Sequence, residues 1–190
     1  MVSFLTKRVL ASAVALSFIA TPLLAATTYN VDPVHSSLVF KIKHLNVSHV
    51  WGRIEDPKGS IVIGDDGLPS ITVEVESDEI DTANDKRDEH LEGPDFFDAK
   101  QFPKITFKST SAKKVDDNNF EVVGDFTLKG VTKSITVNLA KVGEADTPMG
   151  KRTGYDTSFT IKRSDYNMGG MMGPVGDEVT IFVSLEGVVQ

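Results

Sequence analysis

Apolar and polar residues alternate at every second position through most of this chain, and that restricts the fold to β-sheet. Side chains two apart share one face of a strand. Leu38, Phe40 and Ile42 set against Ser37, Val39, Lys41 and Lys43 therefore give one dry face and one wet face. The pattern returns in Ile71, Val73 and Val75, in Ile105 and Phe107, and in Phe120, Val122, Phe126 and Leu128. It continues in Ile135, Val137 and Leu139, in Tyr155, Phe159 and Ile161, and in Val179, Ile181, Val183 and Leu185. Ile61 and Ile63 extend it after Gly59, and helical periodicity is nearly absent.

Turn chemistry falls between these runs at Gly64-Asp65-Asp66-Gly67, Asp116-Asp117-Asn118-Asn119, Lys129-Gly130 and Thr147-Pro148-Met149-Gly150. One-sided alternation with short connections describes antiparallel sheet. About eight long strands are expected, beginning near Ser36, Val50, Ile71, Lys104, Asn119, Val131, Arg152 and Glu178. A compact sandwich repeats its strands every 8 to 12 residues or so, and several intervals here are wider. Long strands in an open sheet would expose long edges, which closure removes. The expectation is an all-β fold, an eight-stranded antiparallel β-barrel, with a sandwich as second choice.

Two segments break the alternation. Residues 82–98 predict a short helical insertion, capped by Thr82 or Asn84 and ended by Gly93, with Pro94 opening another helical turn near Asp95. Arg87, Asp88 and His90 share one turn of it, and Leu91, Phe96 and Phe97 are expected to pack inward, as a plug or lid. Residues 164–176 hold Met168, Met171 and Met172 among Gly169, Gly170, Gly173 and Gly176. Glycine gives such a loop mobility, and methionine gives it an adaptable apolar surface. It reads either as a flap beside a barrel mouth or as a plain connection.

The chain start has a different composition. Lys7 and Arg8 precede Val9 to Ala20, which carry only apolar side chains and two serines, then Thr21-Pro22 and the small residues Ala25 and Ala26. This is the order of a cleavable secretory signal, expected to span residues 1–26. The run is shorter than the roughly 20 apolar residues of a membrane span. Residues 27–190 contain no other candidate span, internal repeat or linker and read as one domain.

Composition excludes several chemistries. A formal charge of −7 lacks the basic footprint of a nucleic-acid surface. No cysteine is present, so disulfides, thiolate nucleophiles, Cys-ligated zinc and iron–sulfur clusters are ruled out. No two histidines stand at helical zinc-protease spacing, and the five-residue separation of His44 and His49 across a connection is close to chance, so no metal site is assigned. There is no Gly-x-Ser-x-Gly elbow. Glu74, Glu76, Glu121, Asp125 and Glu186 sit on the wet parity of their strands, facing away from any lumen. No catalytic residue is assigned.

The inward parity is apolar on every strand: Leu38, Phe40, Ile42, Phe107, Phe126, Leu128, Val137, Leu139, Phe159, Ile161, Ile181 and Val183. These are the candidate ligand-binding residues, with Arg87 and His90 as contacts for a polar head group. An eight-stranded barrel is either filled by its own side chains or holds one small ligand. An apolar lumen selects an apolar guest, each Å² buried contributing about 25 cal/mol. A long hydrocarbon chain fits best.

Several ordered motifs also resemble the YceI-like family of secreted bacterial proteins. These are Tyr29-Asn30-Val31-Asp32 with His35-Ser36-Ser37-Leu38-Val39-Phe40-Lys41-Ile42-Lys43-His44, Arg87-Asp88-Glu89-His90-Leu91 with Asp95-Phe96-Phe97-Asp98, Phe102-Pro103-Lys104-Ile105-Thr106-Phe107, and Gly124-Asp125-Phe126-Thr127-Leu128-Lys129-Gly130-Val131-Thr132-Lys133. The resemblance spans the chain after the signal, and the Met168 to Gly173 stretch is richer in Met and Gly than the family pattern. It implies an extended lipocalin-like barrel in the periplasm, with an isoprenoid such as a quinone or polyprenol, or a similar lipid, in its bore and no other cofactor. Dimers occur in the family, so the resemblance leaves a homodimer open. The competing readings are a periplasmic enzyme using Arg87, Asp88 and His90 on such lipids, and a stress-response protein whose bore is filled by side chains.

Overall fold

The computed structural model describes residues 26–189. The signal expected at residues 1–26 lies, apart from Ala26, outside the described residues. Eleven strands are present: β1 (Thr27–Val31), β2 (Ser37–His44), β3 (Ser48–Ile54), β4 (Lys58–Ile63), β5 (Pro69–Glu76), β6 (Ile80–Asp81), β7 (Lys104–Lys114), β8 (Asn119–Leu128), β9 (Val131–Thr147), β10 (Gly150–Lys162) and β11 (Val175–Val189). The one α-helix among the described residues, α1, spans Asp85–Glu92.

All strand pairings are antiparallel, and the ring β1-β4-β5-β7-β8-β9-β10-β11 closes where β11 returns to β1. Eleven strands make eight staves, because three staves are broken. β11 pairs first with β2 and then, past a turn, with β1, so β1 and β2 form one kinked stave. By the same logic β3 continues into β4 and β5 into β6. The result is a closed eight-stranded barrel with the expected alternation of inward and outward residues.

Each break has a local cause. Asp56 takes a positive φ of 51° and Pro57 is fully buried, which interrupts the ladder between β3 and β4. Between β1 and β2, the Asp32 amide donates to the Glu186 carbonyl (2.8 Å), and the Glu186 amide donates to Ser36 Oγ (3.0 Å). Arg152 Nη1 donates to Asp32 Oδ2 at 2.8 Å and also to Glu186, and His35 Nδ1 lies 2.9 Å from Asp32. The Arg152 guanidinium, then His35, hold the Asp32 carboxyl well below the usual carboxylate range. The cluster stitches the turn onto β11.

Packing differs along the bore. At the end where β1, β4 and the start of β8 meet, Tyr29, Ile61, Val122, Tyr155 and Leu185 form a core, with Phe120 edge-on to Tyr155. At the α1 end, Val75, Phe96, Ile105, Phe126, Leu128, Ile161, Tyr166 and Met168 form a second cluster, against which Leu38, Ile54, Val179 and Ile181 are only partly buried. Gly124 makes room there for Phe107, since a Cβ on it would stand 2.4 Å from the Phe107 ring.

The insertion near residues 82–98 is present but shorter than expected. Asn84 is the N-cap, its side chain accepting from the Arg87 amide at 3.0 Å, and Gly93 ends the helix in an extended conformation. The second helical turn expected near Asp95 does not form. Residues 94–97 are turn, because the Phe97 and Ala99 amides fold back onto the Leu91 and Glu92 carbonyls and end the helical course.

Candidate functional site

The α1 end of the barrel is hollow. A cavity of about 420 Å³ lies among β2, β3, α1, β11 and the methionine loop, and a second void of about 80 Å³ lies deeper. Both are walled by Leu38, Val75, Ile105, Phe126 and Ile181, so they lie end to end along the bore. The larger falls within the roughly 300–1,000 Å³ of small-molecule sites.

All twelve inward residues named from the alternation border this space. Leu38, Phe40, Ile42, Phe126, Leu128, Ile161 and Ile181 line the upper cavity, and Phe107, Val137, Leu139, Phe159 and Val183 line the lower void. Leu38, Phe40, Ile42 and Ile181 point inward yet are only half-buried, because the space they face is empty of protein. Val50, Ile54, Ile80, Val175 and Val179 join the wall outside the candidate set; Val179 shares the inward parity of Ile181, whereas Ile80 and Val175 lie where the alternation predicts no strand.

Arg87 and His90 both reach the cavity. Thr82, 6% exposed, organises their turn of helix. Its amide donates to Asp88 Oδ1 (3.0 Å), its hydroxyl donates to the same oxygen and accepts from Arg87 Nε (2.7 Å), and its carbonyl accepts from Arg87 Nη2 (2.7 Å). Asp88 is thereby a brace for the Thr82 backbone. His90 stands edge-on to Phe96, ring centroids 5.1 Å apart. Leu91, Phe96 and Phe97 pack inward as expected.

Arg163 was missed. It is 3% exposed and follows β10 on the inward parity of Phe159 and Ile161, where an arginine at the end of a strand reads by residue type as exposed. Its Nε donates to Gly176 O (2.7 Å), Nη1 to Met168 O and Gly170 O (both 2.6 Å), and Nη2 to Val175 O (3.0 Å). Burial lowers its pKa from the ordinary arginine value, opposed by Asp177. The glycine-rich loop is thus wound around a buried cation. It is also fastened to the α1 side, where the Gly170 amide donates to Asp95 O at 3.2 Å. Met168 and Met171 line the cavity under it.

The electrostatics are one-sided. His44, Arg87, His90 and Arg163 line the upper cavity and no Asp or Glu does. The hydrogen-bond partners of both guanidiniums are carbonyl or hydroxyl oxygens, never a carboxylate. Such a lumen is apolar along its length and electropositive at one end.

His44 and His49 fall on opposite faces of the β2–β3 hairpin: His44 lines the cavity, while His49 pairs across from the outward Lys43. Among the described residues the only metal-like grouping is Asp32, His35 and Glu186. The Arg152 guanidinium already binds both of its carboxylates, which leaves it an ion-pair cluster. No helix among the described residues is long and apolar enough to cross a membrane.

Residues 29–187 match the model of the YceI-like domain. Protein YceI of Escherichia coli O17:K52:H18 is 36% identical over 171 residues, covering 87% of this chain and 88% of that protein. Among solved structures, BcnA of Burkholderia cenocepacia superposes with a TM-score of 0.75 at 23% identity, over 82% of this chain and 98% of that one. A polyisoprenoid binding domain from Saccharophagus degradans gives 0.67 at 16% identity, over 86% and 99%. The last two show the barrel alone. The family match and the Escherichia coli relative, each covering most of the sequence, establish that the chain belongs to the YceI-like family.

Proposed function

We propose that the protein binds a long-chain amphiphilic lipid of isoprenoid type, such as a quinone or polyprenol, and stores or carries it in the periplasm without catalysis. The observation that carries this reading is the apolar bore of about 420 Å³ with four nitrogen-bearing side chains and no carboxylate at its mouth end. The tail runs past Ile181 and Leu38 toward Phe107 and Phe159. The head group meets Arg87 and His90, where a phosphate, carboxylate or quinone carbonyl oxygen accepts hydrogen bonds and an ammonium group is repelled. The Saccharophagus degradans domain, described as binding polyisoprenoids, has the same fold and supports the choice of tail.

A binding role also suits the polar groups. Asp88, needed by an acid–base reading, has Oδ1 committed to Thr82. The other rival, a bore filled by side chains, conflicts with the hollow at the α1 end.

Native mass spectrometry of protein recovered from cells, followed by denaturation and lipid identification, tests the proposal directly. One prenyl lipid per chain is the expected result. Ile181→Trp, which fills the wall common to both voids, is expected to reduce retention more than about tenfold while circular dichroism stays unchanged. Release of no lipid, together with failure of the wild-type protein to take up a polyprenol or quinone, would overturn it. Turnover of a prenyl substrate abolished by His90→Ala, with retention intact, would favour an enzyme instead.

A further inference from the structure

The β2–β3 arm presents basic and aromatic side chains side by side on its outer face. From Pro33 to Ile54 there is no Asp or Glu, although the protein holds 27 acidic residues against 20 basic ones. Lys41 and Lys43 face outward on β2, paired across from Trp51 and His49 on β3. Trp51, the only tryptophan, is 52% exposed and stacks on Phe182 with ring centroids 5.8 Å apart. The Lys41 ammonium lies 5.7 Å from the Trp51 ring and 5.6 Å from that of Phe182. An aromatic pair topped by a cation therefore sits outside the barrel.

Past this shelf the hairpin tip projects Val47, 85% exposed, and Leu45, 57% exposed. The Leu45 amide donates to Pro174 O at 2.7 Å, which sets the methionine loop, with Met171 and Met172 both about half exposed, beside the tip. Met171 and the adjoining His44 also line the cavity. The exposed apolar tip is therefore the rim of the cavity mouth.

We propose that this face docks the protein on a lipid bilayer bearing anionic head groups. The hairpin tip and methionines enter the acyl boundary, and Trp51 with the two lysines sits at head-group level. Contiguous exposed apolar residues mark interaction surfaces. Tryptophan and lysine beside apolar tips are the composition that settles at a bilayer interface, and basic side chains add attraction to anionic lipid. A second copy suits the face less well: its own Lys41 and Lys43 would oppose themselves, and the arm has no acid from Pro33 to Ile54 to answer them. Of the two acids on the adjoining stretch of β11, Asp177 accepts from the Ser164 amide and hydroxyl, and Glu178 is paired across from Lys162. Docked this way, the mouth opens onto the membrane, and a guest enters the lumen without crossing water. That passage rests on the lipid-binding reading, but the docking does not.

Trp51 makes the test direct. The protein is mixed with vesicles of phosphatidylcholine, with or without a third of phosphatidylglycerol, and followed by tryptophan emission and by sedimentation. Phosphatidylglycerol vesicles should shift the emission to the blue, shield it from acrylamide and pellet the protein, and raised salt should reverse all three. Lys41→Glu with Lys43→Glu should weaken binding at least about tenfold, and Val47→Asp with Met172→Asp should abolish it. Both variants should keep the wild-type circular dichroism and uptake of a dansyl-labelled prenyl alcohol. Unchanged emission with anionic vesicles, equal binding to phosphatidylcholine alone, or full binding by the lysine variant would overturn the proposal. So would a blue shift that rises with protein concentration in the absence of vesicles, which would make a second copy the occupant. Docking lost with probe uptake kept leaves the cavity reading standing, and the converse leaves docking standing.

Discussion

At one end of the barrel Tyr29, Ile61 and Val122 are 0–1% exposed, whereas at the other Leu38, Phe40 and Ile42, equally apolar and equally inward, are only half-buried. The two ends share strands, alternation and composition. They differ in what stands across the bore. At the closed end Tyr29, Phe120 and Tyr155 belong to one buried cluster, with the Phe120 and Tyr155 rings edge-on. At the open end β7 has no partner in β6, and α1, packed beside β6, with the turn after it stands between the two strands in the chain. A helix holds the staves farther apart than a hydrogen-bonded ladder does, since paired strands lie only about 4.8 Å from each other. Apolar side chains therefore close a core where the ladder is complete and line a cavity where it is interrupted.

The contrast is tested most severely by deleting equivalent side chains. Ile61→Ala, at the packed end, is expected to cost about 2–5 kcal/mol in urea unfolding. Ile42→Ala, beside the cavity, should cost less than about 1.5 kcal/mol, because the void already denies it close contacts on one side. Equal losses would mean that the two ends are packed alike.

Removing the cation inside the methionine loop comes next. Arg163→Gln leaves carbonyls without their charged donor, and a loss of about 1.5–3 kcal/mol is expected. The more telling readout is local: amides of residues 167–175 should exchange faster and proteolysis should begin there, while Ile61 and its neighbours stay protected. Uniform loosening of both ends would show that the loop is not a separate element.

The smallest effect belongs to the Asp32 cluster. Asp32 has its carboxyl pKa lowered in the fold, so its contribution is fully present above its unfolded value of about 3.9 and is lost as pH falls toward the lowered folded value. Asp32→Asn is expected to cost about 1 kcal/mol at neutral pH. The gap between wild type and variant should narrow as pH drops below about 4. A gap that persists unchanged in acid would assign the effect to the turn's shape rather than its charge.

Much of this was legible from residue order. Expected starts at Ser36, Lys104, Asn119 and Val131 fall within one residue of β2, β7, β8 and β9, because period two is imposed by the pleat itself. The twelve inward residues were legible for the same reason. The kinks at Asp32–Ser36 and Glu55–Pro57 were not, nor was β1 as a separate strand, since a stave interrupted by a few residues reads as two runs or as one. Arg163 escaped although it continues the inward parity of Phe159 and Ile161, because a charged residue at a strand end is ordinarily exposed and the carbonyls that answer it are not visible in residue order. The extra helical turn placed near Asp95 failed because Pro94 suits a turn as well as a helix start.

Alternation alone settled which side chains face inward, and with it an antiparallel sheet with one buried face, because the geometry of a strand leaves each residue only two directions. It carried no information on how far the inward groups stand from one another. That separation came from the tertiary structure, through α1 packed beside β6, where β6 and β7 do not pair, and the loop gathered on Arg163. Distances across a lumen depend on residues remote in sequence, and so does the difference between a filled bore and a binding site.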